Sequence, residues 1–241
     1  MPSSALGEFL GTAILILLGN GVVAAHSLER SKAQGAGWMV ITTGWAIAVL
    51  CGVLVATALG APGELNPAGT LANVLLGTRT VSDAGMHIVA QFAGAIVGAT
   101  LVWLAYLPHW ALTKDQGAIL GCFCNAPAVR AVGPNLLTEI IGTAVLVLVA
   151  NAIGSTGATG ASPATNLGPA LVAALVWGIG LSLGGPTGYA INPARDLGPR
   201  IAHAILPIAN KGNSDWGYAW IPVVGPIVGG LLAAALWSAV R

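Results

Sequence analysis

The sequence predicts an all-α membrane protein: six transmembrane helices plus two re-entrant half-helices, folded as an inverted internal repeat. Three observations carry that expectation. Apolar residues fill 56% of the 241 positions and charged ones only 7%, against about 25% charged in a soluble domain, so a soluble fold would expose more apolar surface than a monomer tolerates. Six stretches approach the ~20 apolar residues that cross a bilayer. Two Gly/Pro-rich stretches interrupt that series in the same way, one in each half of the chain.

The spans are expected at about 5–25, 36–59, 84–107, 136–153, 168–184 and 218–240. The first follows Met1-Pro2-Ser3-Ser4, which lacks the basic region of a cleaved leader, so it is expected to persist as a helix. The fourth and fifth are short and rich in Gly and Ala, residues that let helices pack closely in lipid. None alternates as a barrel strand would. Between spans two and three stands GAPGELNPAGTLANVLLGTRTVS (60–82), and between five and six GPTGYAINPARDLGPRIAHAIL (185–206). Asn is a favoured N-cap and Pro a favoured first helical residue, so a short helix should start at Pro67 and another at Pro193. About ten residues rise ~15 Å, half of a ~30 Å hydrocarbon core. Each can enter from one face and stop midway.

The halves also repeat. GEFLGTAILILLGN (7–20) matches TEIIGTAVLVLVAN (138–151), with Glu8/Glu139, Gly11/Gly142, Thr12/Thr143 and Ala13/Ala144 in register. Three spans per copy is odd, so the second copy must be inverted. Such repeats place a functional site at the midplane, lined by broken helices. Irregular backbone at that depth needs protein or a water-filled cavity beside it, and a pore is the economical reading. The expected organisation is a single channel domain over 1–241: repeat one at about 1–110, a connecting loop at about 111–133, repeat two at about 134–241.

Other function classes find little support. A net charge of +1 argues against nucleic acid. Cys122-x-Cys124 has no His cluster nearby and makes a poor metal site; with Cys51 it suggests small buried or loop residues rather than a disulfide framework. His26, His87, His109 and His203 are scattered. There is no nucleophile–base–acid set and no phosphate loop, so neither an enzyme, a cofactor nor a metal is expected.

The charges are more telling. No Asp, Glu, Lys or Arg occurs from Ile140 to Ala194; then Arg195 and Asp196 follow Asn192-Pro193-Ala194 directly. An intramembrane charge marks a functional site by default, and Arg195 offers five fixed donors. If the Asn66 and Asn192 oxygens cap their helices, their amide NH2 groups are left free, and two converging helix N-termini add positive potential. The pore centre then donates to a passing oxygen, repels cations and interrupts a proton wire. Glu8 and Glu139 are buried charges that need partners; N–H groups of the re-entrant loops are the expected ones, and a proton relay is the rival reading.

Two Asn-Pro-Ala boxes (Asn66, Pro67, Ala68 and Asn192, Pro193, Ala194) in a six-span duplication resemble the aquaporin, or major intrinsic protein, family, and within it the glycerol facilitators. The resemblance implies a passive channel for glycerol and water, with small polyols and other small neutral solutes possible, that excludes ions and protons. It implies a selectivity filter of Trp45, Gly180, Tyr189 and Arg195, in which Gly180 stands where water-only channels place His and leaves the pore wider. It implies a ladder of backbone carbonyls over 62–65 and 188–191, including Gly63, Glu64, Leu65, Gly188, Ala190 and Ile191, with Glu8, Glu139 and Asp196 supporting the loops. It further implies a homotetramer in the lipid bilayer of the cell membrane, both termini cytoplasmic. Asp196 and Pro222 resemble the glycerol-channel pattern. Two residues depart from it: Glu64 replaces the usual His, which would put a carboxylate near the mouth, and Tyr189 replaces Phe, adding a hydroxyl to the filter. Two other functions fit parts of the pattern: a water-selective aquaporin, disfavoured by Gly180, Asp196 and Pro222, and a secondary transporter, which would need a coupling-ion site. The charge rule alone opposes the implied orientation. Arg30, Lys32, Lys114, Arg130 and Lys211 fall on loops expected outside, while loop 154–167, expected inside, has no charge.

Overall fold

The computed structural model describes residues 2–157 and 167–241. Among them are ten helices and no strand. Five helices are long and apolar enough to cross a membrane: α1 (Pro2–Ser27), α2 (Trp38–Ala58), α4 (Val81–Ala105), α7 (Val132–Gly157) and α10 (Ile221–Ala239). The sixth expected span is α8 (Gly168–Leu183), an apolar helix of 16 residues. Most of loop 154–167, on which the orientation argument partly rests, lies outside the described residues. The half-helices are α3 (Pro67–Leu75), 9 residues, and α9 (Pro193–Ile205), 13 residues.

Helix boundaries follow local chemistry. α7 starts at Val132, ahead of the expected 136, because Pro134 falls in its first turn, where a missing N–H is harmless. The expected connecting loop carries two short helices, α5 (Leu107–Leu112) and α6 (Gln116–Gly121). Asp115 caps α6, its Oδ1 accepting from Gly117 N at 2.8 Å and Ala118 N at 3.1 Å.

The two halves pack alike. α1 lies against α2 and α4, and α7 against α8 and α10. At both main crossings a glycine brings backbones together: a methyl group at Gly94 would sit 2.2 Å from Phe9 O, and one at Gly229 would sit 2.2 Å from Ile140 O. The half-helices trade sides, α3 packing mainly on α10 of the other half and α9 on α4. This exchange brings both half-helix N-termini to the middle of the bundle.

Candidate functional site

Each Asn-Pro-Ala box starts its half-helix as its sequence dictates. Asn66 Oδ1 accepts from Ala68 N at 2.9 Å, and Asn192 Oδ1 accepts from Ala194 N at 3.0 Å and Arg195 N at 3.2 Å. The amides are not left wholly free. Asn66 Nδ2 donates to Ile191 O at 2.8 Å, and Asn192 Nδ2 donates to Leu65 O at 2.8 Å. Each box is thus tied to the opposite loop, and each amide keeps one N–H beyond that brace.

Two buried carboxylates hold the loops ahead of the boxes. Glu8, 0% exposed, accepts from Glu64 N at 2.9 Å and Leu65 N at 2.8 Å. Glu139, 1% exposed, accepts from Ala190 N at 3.0 Å and Ile191 N at 2.8 Å. The loops need this support because their backbone is strained: Leu65 (φ 50°), Tyr189 (φ 41°) and Ile191 (φ 43°) occupy the left-handed region, which disfavours side-chain-bearing residues. The turn exposes carbonyls on one side. Leu65 O and Ile191 O take the asparagine bonds and retain a second lone pair each.

Three cavities lie in series. The central one, about 90 Å³, is bordered by Gly63, Glu64, Leu65, Asn66, Ala190, Ile191 and Asn192 and faced by Leu15, Val49, Val53, Leu146 and Val176. It shares Trp45, Tyr189 and Arg195 with a cavity of about 270 Å³ beneath the connecting segment, which Gly188 also lines. It shares Gly63, Glu64 and Asn66 with a cavity of about 230 Å³ on the other side. Gly188 therefore borders a different cavity from Ala190 and Ile191.

At the first threshold the guanidinium carbon of Arg195 lies 4.1 Å from the Trp45 ring centroid, within cation–π range. Asp196 turns away from it. Its carboxylate pairs with Arg200 (Nε to Oδ1 2.9 Å) and accepts from Asn125 N at 2.7 Å, while Asn125 Nδ2 donates to Thr187 O at 2.9 Å. Asp196 supports the re-entrant loop at one remove, through the connecting segment.

Gly180 acts on the threshold through Tyr189 rather than by lining the passage. It borders none of the three cavities. A methyl group there would sit 2.7 Å from Tyr189 Cζ and 2.9 Å from its Oη, so the missing side chain makes room for the Tyr189 ring. The Tyr189 hydroxyl is buried without a hydrogen-bond partner; it points into the helix packing and adds no polar group to the passage. Glu64 is likewise no loose carboxylate at a mouth. It accepts from Thr70 Oγ1 at 2.7 Å, Asn73 Nδ2 at 2.8 Å and Arg79 Nε at 3.2 Å.

Four contributors escape the sequence reading. Arg200 donates to Asp196, Ser214 O (2.7 Å) and Asn125 O (2.8 Å); the Asp196/Arg200 spacing of one helical turn was its signal. Gln91 donates to Glu8 Oε2 at 2.8 Å and Thr70 Oγ1 at 3.0 Å. Asn125 and Trp38 reach the site from segments whose place against it no local pattern reveals.

The described residues hold no group of three or more His, Cys, Asp or Glu able to bind a metal. Cys122 and Cys124 are buried free thiols in the connecting segment, and burial pushes both thiol pKa values well up.

The family model described as Major intrinsic protein matches residues 2–237. A relative from Thermotoga maritima named "Probable glycerol uptake facilitator protein" is 55% identical over 234 residues, covering 97% of each chain. The glycerol uptake facilitator protein of Streptococcus pneumoniae is 51% identical, covering 99% of each chain. The aquaglyceroporin from Plasmodium falciparum has a solved structure that superposes with a TM-score of 0.85 at 28% identity, covering 98% of this chain and 95% of that one.

Proposed function

The chain belongs to the major intrinsic protein family, and from that premise we propose that it is a passive channel for glycerol and water. The observation that carries this reading is the threshold between two cavities made by Trp45, Tyr189 and Arg195. The rings offer apolar faces to a solute's CH groups, and Arg195 donates to its hydroxyls. Small polyols and other small neutral solutes meet the same chemistry. Cations and protons do not: the Arg195 charge and the two half-helix N-termini oppose cations, and the remaining amide protons of Asn66 and Asn192 turn a passing oxygen one way, breaking a proton wire. The remaining carbonyl capacity at Gly63, Glu64, Leu65, Ala190 and Ile191 accepts hydrogen bonds along one wall. The relatives from Thermotoga maritima and Streptococcus pneumoniae are named glycerol uptake facilitators, which favours this over a water-selective channel.

The protein has no catalytic role in this reading. It works as one channel domain of two repeats, about 1–110 and 134–241, joined by the segment between, and assembles as a homotetramer in the cell membrane with both termini in the cytoplasm. Three of the five cations that oppose this orientation by count have structural tasks. Lys211 Nζ donates to His203 O, Ala204 O and Leu206 O at 2.6–2.8 Å, Arg130 pairs with Asp215, and Lys114 donates to Asn210 Oδ1. Stopped-flow light scattering on proteoliposomes tests the function. Glycerol and water should both cross without any ion gradient; uptake that stops when a proton gradient is collapsed would overturn the reading in favour of a coupled transporter.

A further inference from the structure

We infer that Trp38 is a positioning residue for solute selection: it clamps the Tyr189 ring against α8 and thereby sets the width of the threshold at Arg195. The inference rests on the channel reading above and extends it to a side chain outside the Trp45, Gly180, Tyr189 and Arg195 set. Trp38 opens α2, and its Nε1 donates to Gly180 O on α8 at 3.0 Å. Its ring meets that of Tyr189 edge-on, centroids 5.9 Å apart at 81°. Gly184, one turn beyond Gly180, leaves the space for both rings: a methyl group there would sit 2.6 Å from Tyr189 Cδ1 and 2.7 Å from Trp38 Cζ2. The Tyr189 ring thus lies in a slot floored by Gly180 and Gly184 and closed by Trp38. No hydrogen bond from the hydroxyl fixes the ring, which is held by packing alone. Trp38 is 40% exposed and lines the same cavity as Tyr189 and Arg195, so it can hold the ring while itself bordering the passage.

A ring held by an edge contact and a tight slot is displaced when the contact goes. Trp38→Ala should let Tyr189 lean away from Arg195 and admit bulkier solutes. Proteoliposome permeabilities to glycerol and to a five-carbon alditol, taken as a ratio, are independent of how much protein folds and inserts. The ratio of alditol to glycerol should rise about two- to tenfold in Trp38→Ala, the span carried by an aromatic contact of this kind. Trp38→Phe keeps an aromatic edge while losing the bond to Gly180 O, so its ratio should move less. It also stands in should the alanine variant fail to insert: a slightly raised ratio is expected, and an unchanged ratio, or one beyond tenfold, counts against the clamp. Tyr189→Ala separates the two readings. If it changes the ratio and Trp38→Ala does not, the clamp is overturned and the threshold stands. If neither changes it, the threshold at Tyr189 fails and the clamp with it.

Discussion

Three residues ahead of Asn66 stands Gly63; three ahead of Asn192 stands Tyr189. Three residues after Asn66 comes Gly69, and at the matching place after Asn192 comes Arg195. The backbones around these pairs are near copies: a left-handed residue directly before each Asn, a proline at N1, two consecutive loop N–H groups on a buried glutamate, and an amide reaching the opposite loop. The side chains are not copies. The bulky, charged pair belongs to the second repeat alone, and the first offers two glycines. The scaffold is therefore what both repeats retain, while among the loop residues only those of the second repeat carry discriminating side chains, set against Trp45 of the first. A symmetric passage acquires one narrow point rather than two.

Removing the shared scaffold should have the largest effect. Glu139→Gln leaves a neutral amide against two buried N–H groups, and Glu8→Gln does the same in the first repeat. Hydrogen bonds to charged groups are worth about 1.5–3 kcal/mol each, so each variant should lose roughly 3 kcal/mol or more, read as a large fall in thermal stability in detergent. Comparable losses support equal scaffolds; a loss confined to one repeat breaks the comparison. Next comes the asymmetric charge. A unit charge at 4 Å is worth about 4 kcal/mol at an effective dielectric of 20, so Arg195→Ala should raise cation leak at least about tenfold in vesicle flux assays. Gly69→Ala should not, since its nearest neighbour beyond the adjoining chain is Asn66 Cβ at 4.0 Å.

Gly180→Ala sharpens the same contrast. The added methyl drives Tyr189 toward the passage, and overpacking of about 1 kcal/mol or more corresponds to about a fivefold change. Glycerol permeability should fall by that much, with water affected less; equal loss of both would mean that Tyr189 does not border the threshold. Tyr189→Phe should have the smallest effect, less than about twofold on either permeability with stability equal or slightly higher, because it deletes a buried hydroxyl that has no partner.

Much of the fold was legible because lipid leaves the chain few options. Hydropathy finds the spans, and the Asn-Pro pairs give the half-helix starts to the residue, since capping is local chemistry. The Glu8 and Glu139 partnerships were also within reach, because a buried carboxylate must find donors. The route by which Gly180 acts was not legible for a physical reason: sequence shows that a side chain is missing but not which neighbour fills the gap. Glu64 was misjudged likewise. Its partners Thr70, Asn73 and Arg79 lie on α3 and the turn after it, and their convergence depends on how the half-helix sits on its loop. Trp38 depends on how α2 packs against α8, and Asn125 on how the connecting segment folds over the second re-entrant loop, and no periodicity records either.

The crossed amides have a consequence for how the protein is made. Asn66 finds its carbonyl 125 positions along the chain, and Asn192 finds its own 127 positions back. A nascent first half, already threaded into the bilayer, has the Glu8 support of its turn but neither the crossed amides nor a second wall. The aperture therefore comes into being only when synthesis is nearly complete, and a cell building this protein never carries a partly finished hole.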